Sequence, residues 1–323
     1  MSKRFDTKKL LYIFGALVVL LLLTVILKVP KEKATLKGLL LELDTAEVSK
    51  IVITPKYQEG EPFEFIRSEN RWRIIQDNKT ANPATGAIQN IFDEILALKP
   101  KSLAAVDKTK WKEFELTDSM ATRVEFMNEK GRKLAGVLIG KFSYKQSPNP
   151  YNSYSGNNIE GTSYVRINDE KEIYAVDGFL AVSFSGQFSD WRDRSFIKSN
   201  KDDITEVSFR LPGDSSYVMV KKEKNWFIGS RQADSVSVSN YLNALSFIDG
   251  QEFRDGFIPV SNPEYQIVVQ GNNLLNFTVK CYSAEGTDEF VLNSSLNPDV
   301  YYTSRRNGIF SQVIKPDTYF LKK

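Results

Sequence analysis

Val48-Ser49-Lys50-Ile51-Val52-Ile53-Thr54 carries a broadly alternating strand pattern, and Ile204-Thr205-Glu206-Val207-Ser208-Phe209-Arg210 matches it. Period-two alternation puts one set of side chains on each face of an extended chain, so each stretch reads as a half-buried strand. Beyond the first lie Phe63-Glu64-Phe65-Ile66 and, past a Ser68-Glu69-Asn70 turn, Arg71-Trp72-Arg73-Ile74-Ile75. Beyond the second lie Tyr217-Val218-Met219-Val220 and Asn225-Trp226-Phe227-Ile228, with Trp226 where Trp72 fell. A helix signal follows each hairpin. In the first, Asn82 is the expected cap and Pro83 the first helical position, while Ala84, Ala87, Ile88, Ile91, Phe92, Ile95 and Leu98 share a face. Pro100 is its expected stop. In the second, Val238, Tyr241, Leu242 and Leu245 share a face and Gly250 is the expected stop.

Strands resume after each helix. The first set is Arg123–Phe126, Leu134–Ile139, Tyr164–Ile167 and Glu172–Val176; the second is Tyr265–Val269, Asn276–Val279, Val300–Thr303 and Gly308–Phe310. Element order and the tryptophan position agree together, which a duplication explains. The connections are too short for parallel βαβ winding throughout, so the fold class is α+β: two tandem repeats, each a mainly antiparallel sheet with one packed helix. The first repeat is expected over 46–200 and the second over 201–323. Trp72 and Trp226 are expected on the inner faces of their hairpins, against the helices.

Upstream, Leu10 to Leu27 is an uncharged run, LLYIFGALVVLLLLTVIL. As a helix it is roughly 27 Å long, close to the hydrocarbon thickness of a bilayer. Lys3, Arg4, Lys8 and Lys9 precede it, and Lys28, Lys31 and Lys33 follow. No A-x-A cleavage pattern follows the run, and the only cysteine, Cys281, excludes a lipoprotein signal. The expectation is an uncleaved transmembrane signal anchor over 10–28, with a cytoplasmic tail over 1–9 and a juxtamembrane linker over 29–45. Short-range Lys/Arg counts are nearly balanced across the span, so orientation rests on the short basic tail, which places the bulk of the chain outside the cytoplasm. Leu36, Leu39, Leu40 and Leu41 give the linker the pattern of a short helix near the headgroups, of a continued anchor helix or of a docking stalk.

Composition narrows the chemistry. The chain has no histidine, which excludes Ser-His-Asp and Cys-His catalysis and His-ligated metals within it. One cysteine excludes an intrachain disulfide, and Cys281, in the alternating run Phe277–Cys281, reads as a buried thiol. A net charge of +3 with interspersed signs gives no case for nucleic acid. Neither a phosphate-binding glycine loop nor an acidic calcium loop is present, so no metal and no cofactor is expected.

The segments "NRWRII", "KEFELTDS", "VLIGKF", "SYVRIND", "EIYAVDG" and "DWRDRSF", behind an anchor and a first strand, resemble the bacterial family called domain of unknown function 4340. The resemblance covers most of residues 46–200 and, more faintly, the second repeat. It implies a membrane-anchored extracytoplasmic protein, often associated with ABC-type transporter components, including ones similar to gliding-motility auxiliary proteins. It supplies no catalytic residues. The departure from the family pattern is a longer loop between Gly140 and Tyr164.

That loop, Lys141 to Asn158, is the first candidate site. Tyr144, Tyr151, Asn152, Tyr154 and Asn157 suit adaptable contact with a protein or glycan, since tyrosine brings area at low entropic cost; a mobile surface insertion is the plainer reading. The second candidate is Asp190-Trp191-Arg192-Asp193-Arg194, at the junction of the repeats. Alternating acids and bases of this kind form a local network that fixes a domain joint; the alternative is acid/base chemistry by Asp190 and Asp193. The resulting expectation is a non-enzymatic accessory protein of the bacterial cytoplasmic membrane. It would meet lipid through residues 10–28 and an ABC-type permease, its auxiliary subunit or another envelope protein through its ectodomain. A wall- or surface-glycan tether and a carboxylate-based hydrolase are the alternatives.

Overall fold

The computed structural model describes Phe14 and residues 38–56, 60–147, 158–284 and 288–321. The expected tail and, apart from Phe14, the expected anchor lie outside the described residues. Among the described residues no helix is long and apolar enough to cross a membrane.

The first repeat runs β1 (Lys50–Thr54), β2 (Phe63–Ser68), β3 (Arg71–Gln76), β4 (Lys79–Ala81), α1 (Ala87–Leu96), β5 (Pro100–Ala105), β6 (Thr122–Met127), β7 (Lys133–Ser147), β8 (Asn158–Ile167) and β9 (Ile173–Asp177). A short helix α2 (Leu180–Ser183) and β10 (Ser195–Lys198) lead into the second. There β11 (Ile204–Arg210), β12 (Tyr217–Lys222), β13 (Asn225–Ile228), β14 (Arg231–Gln232) and α3 (Ser235–Ser246) are followed by β15 (Phe247–Asp249) and β16 (Glu252–Phe253). Then come β17 (Tyr265–Gly271), β18 (Phe277–Ser283), β19 (Glu289–Ser294), β20 (Asn297–Arg305) and α4 (Ile309–Val313).

Two nine-stranded sheets result. Their hydrogen-bonded orders are β4-β3-β2-β1-β6-β7-β8-β9-β5 and β14-β13-β12-β11-β17-β18-β19-β20-β16. Position by position these are the same order: a four-strand meander, a second meander beside its first strand, and a strand from beyond the helix, β5 or β16, carried to the far edge; β15, between α3 and β16, pairs instead with β10. The duplication read from the sequence is thus a duplication of topology, with each repeat holding its own sheet. Registers repeat as well, since Trp72 faces Arg67 across β3/β2 and Trp226 faces Lys221 across β13/β12.

Alternation does what strand physics requires. Ile51 and Ile53 of β1 and Val124 and Phe126 of β6 are fully buried, with half-buried residues between them. In the second repeat Val207, Phe209, Ile267, Val269, Val279 and Cys281 join Tyr241, Leu242 and Leu245 of α3 in one core. Trp226 is inside that core, whereas Trp72 is half-buried, edge-on to Phe92 of α1 at 6.5 Å. Burial pushes the Cys281 thiol far up, as its place in the core requires.

Several boundaries differ from expectation. The first helix begins at Ala87, not Pro83: Asn82 O accepts from Asp193 N, Ala84 N donates to Trp191 O, and Pro83 bridges Arg192 in antiparallel fashion. The would-be first turn is therefore extended, and the helix starts after Gly86 at φ +80°. Gly250 stops no helix, because α3 ends at Ser246 and β15 intervenes. Its glycine is required for a different reason: a Cβ there would enter the Tyr302 ring. Gly308–Phe310 is no strand, since Ile309–Val313 is helical and buries Ile309, Phe310 and Val313. No linker helix forms over residues 38–45, where Leu40 and Leu41 are buried and Leu40 N donates to Leu98 O.

The chain divides into two compact units. One comprises the described residues up to Leu43 with Glu94–Ala121 and Val137–Ala181; the other comprises Asp44–Asp93, Thr122–Gly136 and Val182–Lys323. In the first unit, Leu116 and Ala121 pack with Leu138 and Ile173, which explains why β7 is buried on consecutive positions from Val137 to Gly140.

Candidate functional site

The tyrosine-rich stretch is not a loop along its whole length. In the first unit β7 and β8 pair from Phe142↔Ser163 out to Ser147↔Asn158, so Lys141–Ser147 and Asn158 are strand. The correction has a local cause: Phe142, Tyr144 and Gln146 alternate with Ser143, Lys145 and Ser147, a strand pattern written in polar residues. Tyr151, Asn152, Tyr154 and Asn157 lie outside the described residues.

Pairing fixes which residues share a face. Phe142, Tyr144 and Gln146 stand with Ser163, Gly161 and Ile159, while Ser143 and Lys145 stand with Thr162 and Glu160 on the other side. One face of the extension is apolar and solvated: Phe142 is 42% exposed, Tyr144 64% and Ile159 57%. Phe179 lies edge-on to Phe142 at 5.9 Å and against Gly161, where any Cβ would strike its ring. The sequence pointed to Tyr144; Phe142 and Ile159 were missed because their partnership depends on a register that no local pattern specifies.

The acidic-basic segment lies within the second unit. Arg192 is 5% exposed and donates Nη1 to Asp255 Oδ2 and Nη2 to Asp255 Oδ1, both at 2.9 Å. This fork-on-carboxylate geometry is the strong form of an ion pair. The guanidinium also lies over the Phe253 ring at 3.7 Å, and Nε is buried without a hydrogen-bond partner among the described residues. Around it the backbone is stitched on both sides: Asp193 N to Asn82 O and Gly250 N to Arg194 O. Trp191 packs against Phe63, Phe65 and Phe184.

Both proposed acid/base carboxylates are engaged locally. Asp190 accepts from Gln187 N at 2.9 Å and from Arg194 Nη2 at 3.3 Å; Asp193 Oδ1 accepts from Ser195 N at 2.9 Å. Each serves as a turn cap, the use that short acidic side chains serve next to unpaired N–H groups. Asp255, 63 residues from Arg192, is the partner that sequence reasoning missed.

Two clefts flank the Arg192–Asp255 pair within this unit, each of about 550 Å³. In one, Lys79, Arg192 and Arg194 balance Glu61, Glu252 and Asp255. In the other, Arg73, Lys79, Arg192 and Arg254 face only Asp255 and Asp299. Among the described residues no cluster of three or more His, Cys, Asp or Glu could hold a metal ion.

The family model described as Domain of unknown function (DUF4340) matches residues 72–266, more than half of the chain. The match begins at Trp72 of β3 and ends in β17, so it takes in Asp190–Arg194 and the helices α1, α2 and α3. No curated protein and no solved structure matches the chain.

Proposed function

The chain belongs to the family of domain of unknown function DUF4340, and from that premise we propose that it is a non-enzymatic accessory protein of a bacterial cytoplasmic membrane. Residues 10–28 anchor it as a single-pass helix, the rest lies outside the cytoplasm, and the ectodomain binds a component of an ABC-type transport or gliding-type envelope complex. The uncharged run Leu10–Leu27 supports the anchor.

One observation carries the binding role. The extension of β7 and β8 holds Phe142, Tyr144 and Ile159 exposed together on one face. Apolar side chains clustered on a projecting hairpin are a recognition surface when a partner covers them, and aromatic anchors of this kind dominate binding energy. The polar far face, with Lys145 opposite Glu160, keeps the hairpin solvated on its other side.

The test is recovery of partners from gently solubilised native membranes with the C-terminally tagged full chain. The Tyr144→Ser/Ile159→Ser variant should lose a near-stoichiometric membrane protein while its melting temperature stays within about 2 °C, as surface substitutions leave stability nearly unchanged. An unaltered partner profile would remove the hairpin from this reading.

A further inference from the structure

The cleft bounded by β3, β4 and the segment after β16 differs from its neighbour in charge. Arg73, Lys79, Arg192 and Arg254 line it against Asp255 and Asp299. Arg192 and Asp255 cancel each other in the 2.9 Å fork, and Lys79 Nζ reaches Asp255 only at 3.9 Å. Arg73 donates Nη1 to the neutral amide oxygen of Asn82 at 2.6 Å, which orients a guanidinium without neutralising it. Arg254 is held through its backbone, N to Tyr301 O, and its guanidinium has no ion pair among the described residues. Three cations therefore face the single unmatched carboxylate of Asp299. A concave wall focuses such a field and favours an anion of about two charges.

The rest of the lining selects among anions. Phe257 and Tyr301 both line the cleft, their rings 5.2 Å apart and tilted at 54°, and Tyr282 lies 5.5 Å from Phe257 at the same tilt. Asn78, Asn82 and Asn297 add amides, and Asn297 is itself 9% exposed. Aromatic faces with amide donors and acceptors match the alternating C–H faces and hydroxyls of a sugar, while arginine forks match carboxylates. At about 550 Å³ the space suits one or two sugar rings.

We propose that this cleft is a binding site for an acidic saccharide, with Arg73 and Arg254 taking the carboxylates and Phe257 and Tyr301 the sugar face. The site lies in the second unit and shares no residue with the β7–β8 hairpin, so its failure and that of the partner reading are separate outcomes.

The experiment is calorimetric titration of the full chain in neutral detergent with digalacturonate, its dimethyl ester and inorganic phosphate. Digalacturonate should bind, the uncharged ester at least tenfold more weakly, and raising salt from 50 to about 300 mM should weaken the acid but not the ester. Arg73→Gln/Arg254→Gln should cost at least tenfold for the acid alone, and Phe257→Ala should weaken both saccharides. Absence of digalacturonate binding, or equal affinity for acid and ester, overturns the proposal. Inorganic phosphate binding as tightly as digalacturonate through the same two arginines overturns the saccharide assignment. Both arginines are exposed, and unchanged circular dichroism of the double variant confirms that it folds.

Discussion

Arg192 shows how a single side chain ties together segments far apart in the chain. Its two 2.9 Å bonds to Asp255 and its stacking on Phe253 use the planarity of guanidinium, which an ammonium lacks. Arg192→Lys should therefore destabilise the chain by about 2 kcal/mol, read as a lower urea midpoint, even though charge is conserved. The magnitude sits below that of a fully buried pair because the Asp255 side chain is 35% exposed and keeps some solvation. An unchanged midpoint would make the fork incidental. Arg166 in the first unit shares the stacking, 4% exposed with its guanidinium 3.7 Å over Trp111. The sequence displays such arginines but hides their partners: Asp255 lies 63 residues from Arg192. Nothing local to Asp-Trp-Arg-Asp-Arg encodes that distance, so the arginine was legible and its carboxylate partner was not.

At the scale of elements, the two hairpins are equivalent in register and unequal in burial. Trp226 is 8% exposed within the core of its repeat, while Trp72 is half-buried beneath Arg67 at 5.8 Å. Trp226→Ala should cost about 4 kcal/mol in chemical denaturation and Trp72→Ala clearly less, since the cavity term scales with what surrounds the removed ring. Equal losses would mean that repeat symmetry, rather than local packing, governs the two positions. Elements with clean alternation, β1 and β6, were legible from sequence for the reason that one face is buried and one is not. β19 was illegible because Phe290 to Ser294 are buried at every position and show no alternation. Helix α4 was misread because five residues, mostly apolar, fit a strand as well as a single helical turn. β5 was missed because Pro100–Ala105 is an edge strand with no fully buried residue.

For the whole molecule, the absence of histidine and the burial of weak acids set the pH response. No imidazole titrates between pH 6 and 8, so no histidine contributes to a stability change in that window. Above it the buried acids take over. Burial pushes the phenols of Tyr241 and Tyr302 and the Cys281 thiol upward, and the smaller burial of Tyr174, beside Glu170, takes it to about 12. Tyr241 donates to Val313 O at 3.0 Å and Tyr302 to Asp193 O at 3.4 Å, bonds that only the protonated form can make. These groups hold their protons in the folded chain at a pH where the unfolded chain has released them. Their stabilisation is complete below the unfolded values, near pH 8.5 for the thiol and 10 for the phenols, and is lost as pH climbs from there toward the folded values. Each group contributes a slope of up to about 1.4 kcal/mol per pH unit. The urea midpoint should fall steeply above about pH 10, and a midpoint that stays level to pH 11.5 would contradict the burial of these rings.

The strand carried to the far edge of each sheet imposes an order of assembly. Pro100 finds its partner at Val176, and Phe253 finds its partner at Tyr302. On a chain emerging from the ribosome, β5 is made early and must stay unpaired until β9 has left the exit tunnel. Its exposed lysine and serine, Lys101 and Ser102, are residues that an unaccompanied strand tolerates in water without recruiting a neighbour. The second repeat makes its wait shorter, so the same topology closes faster in the second repeat than in the first.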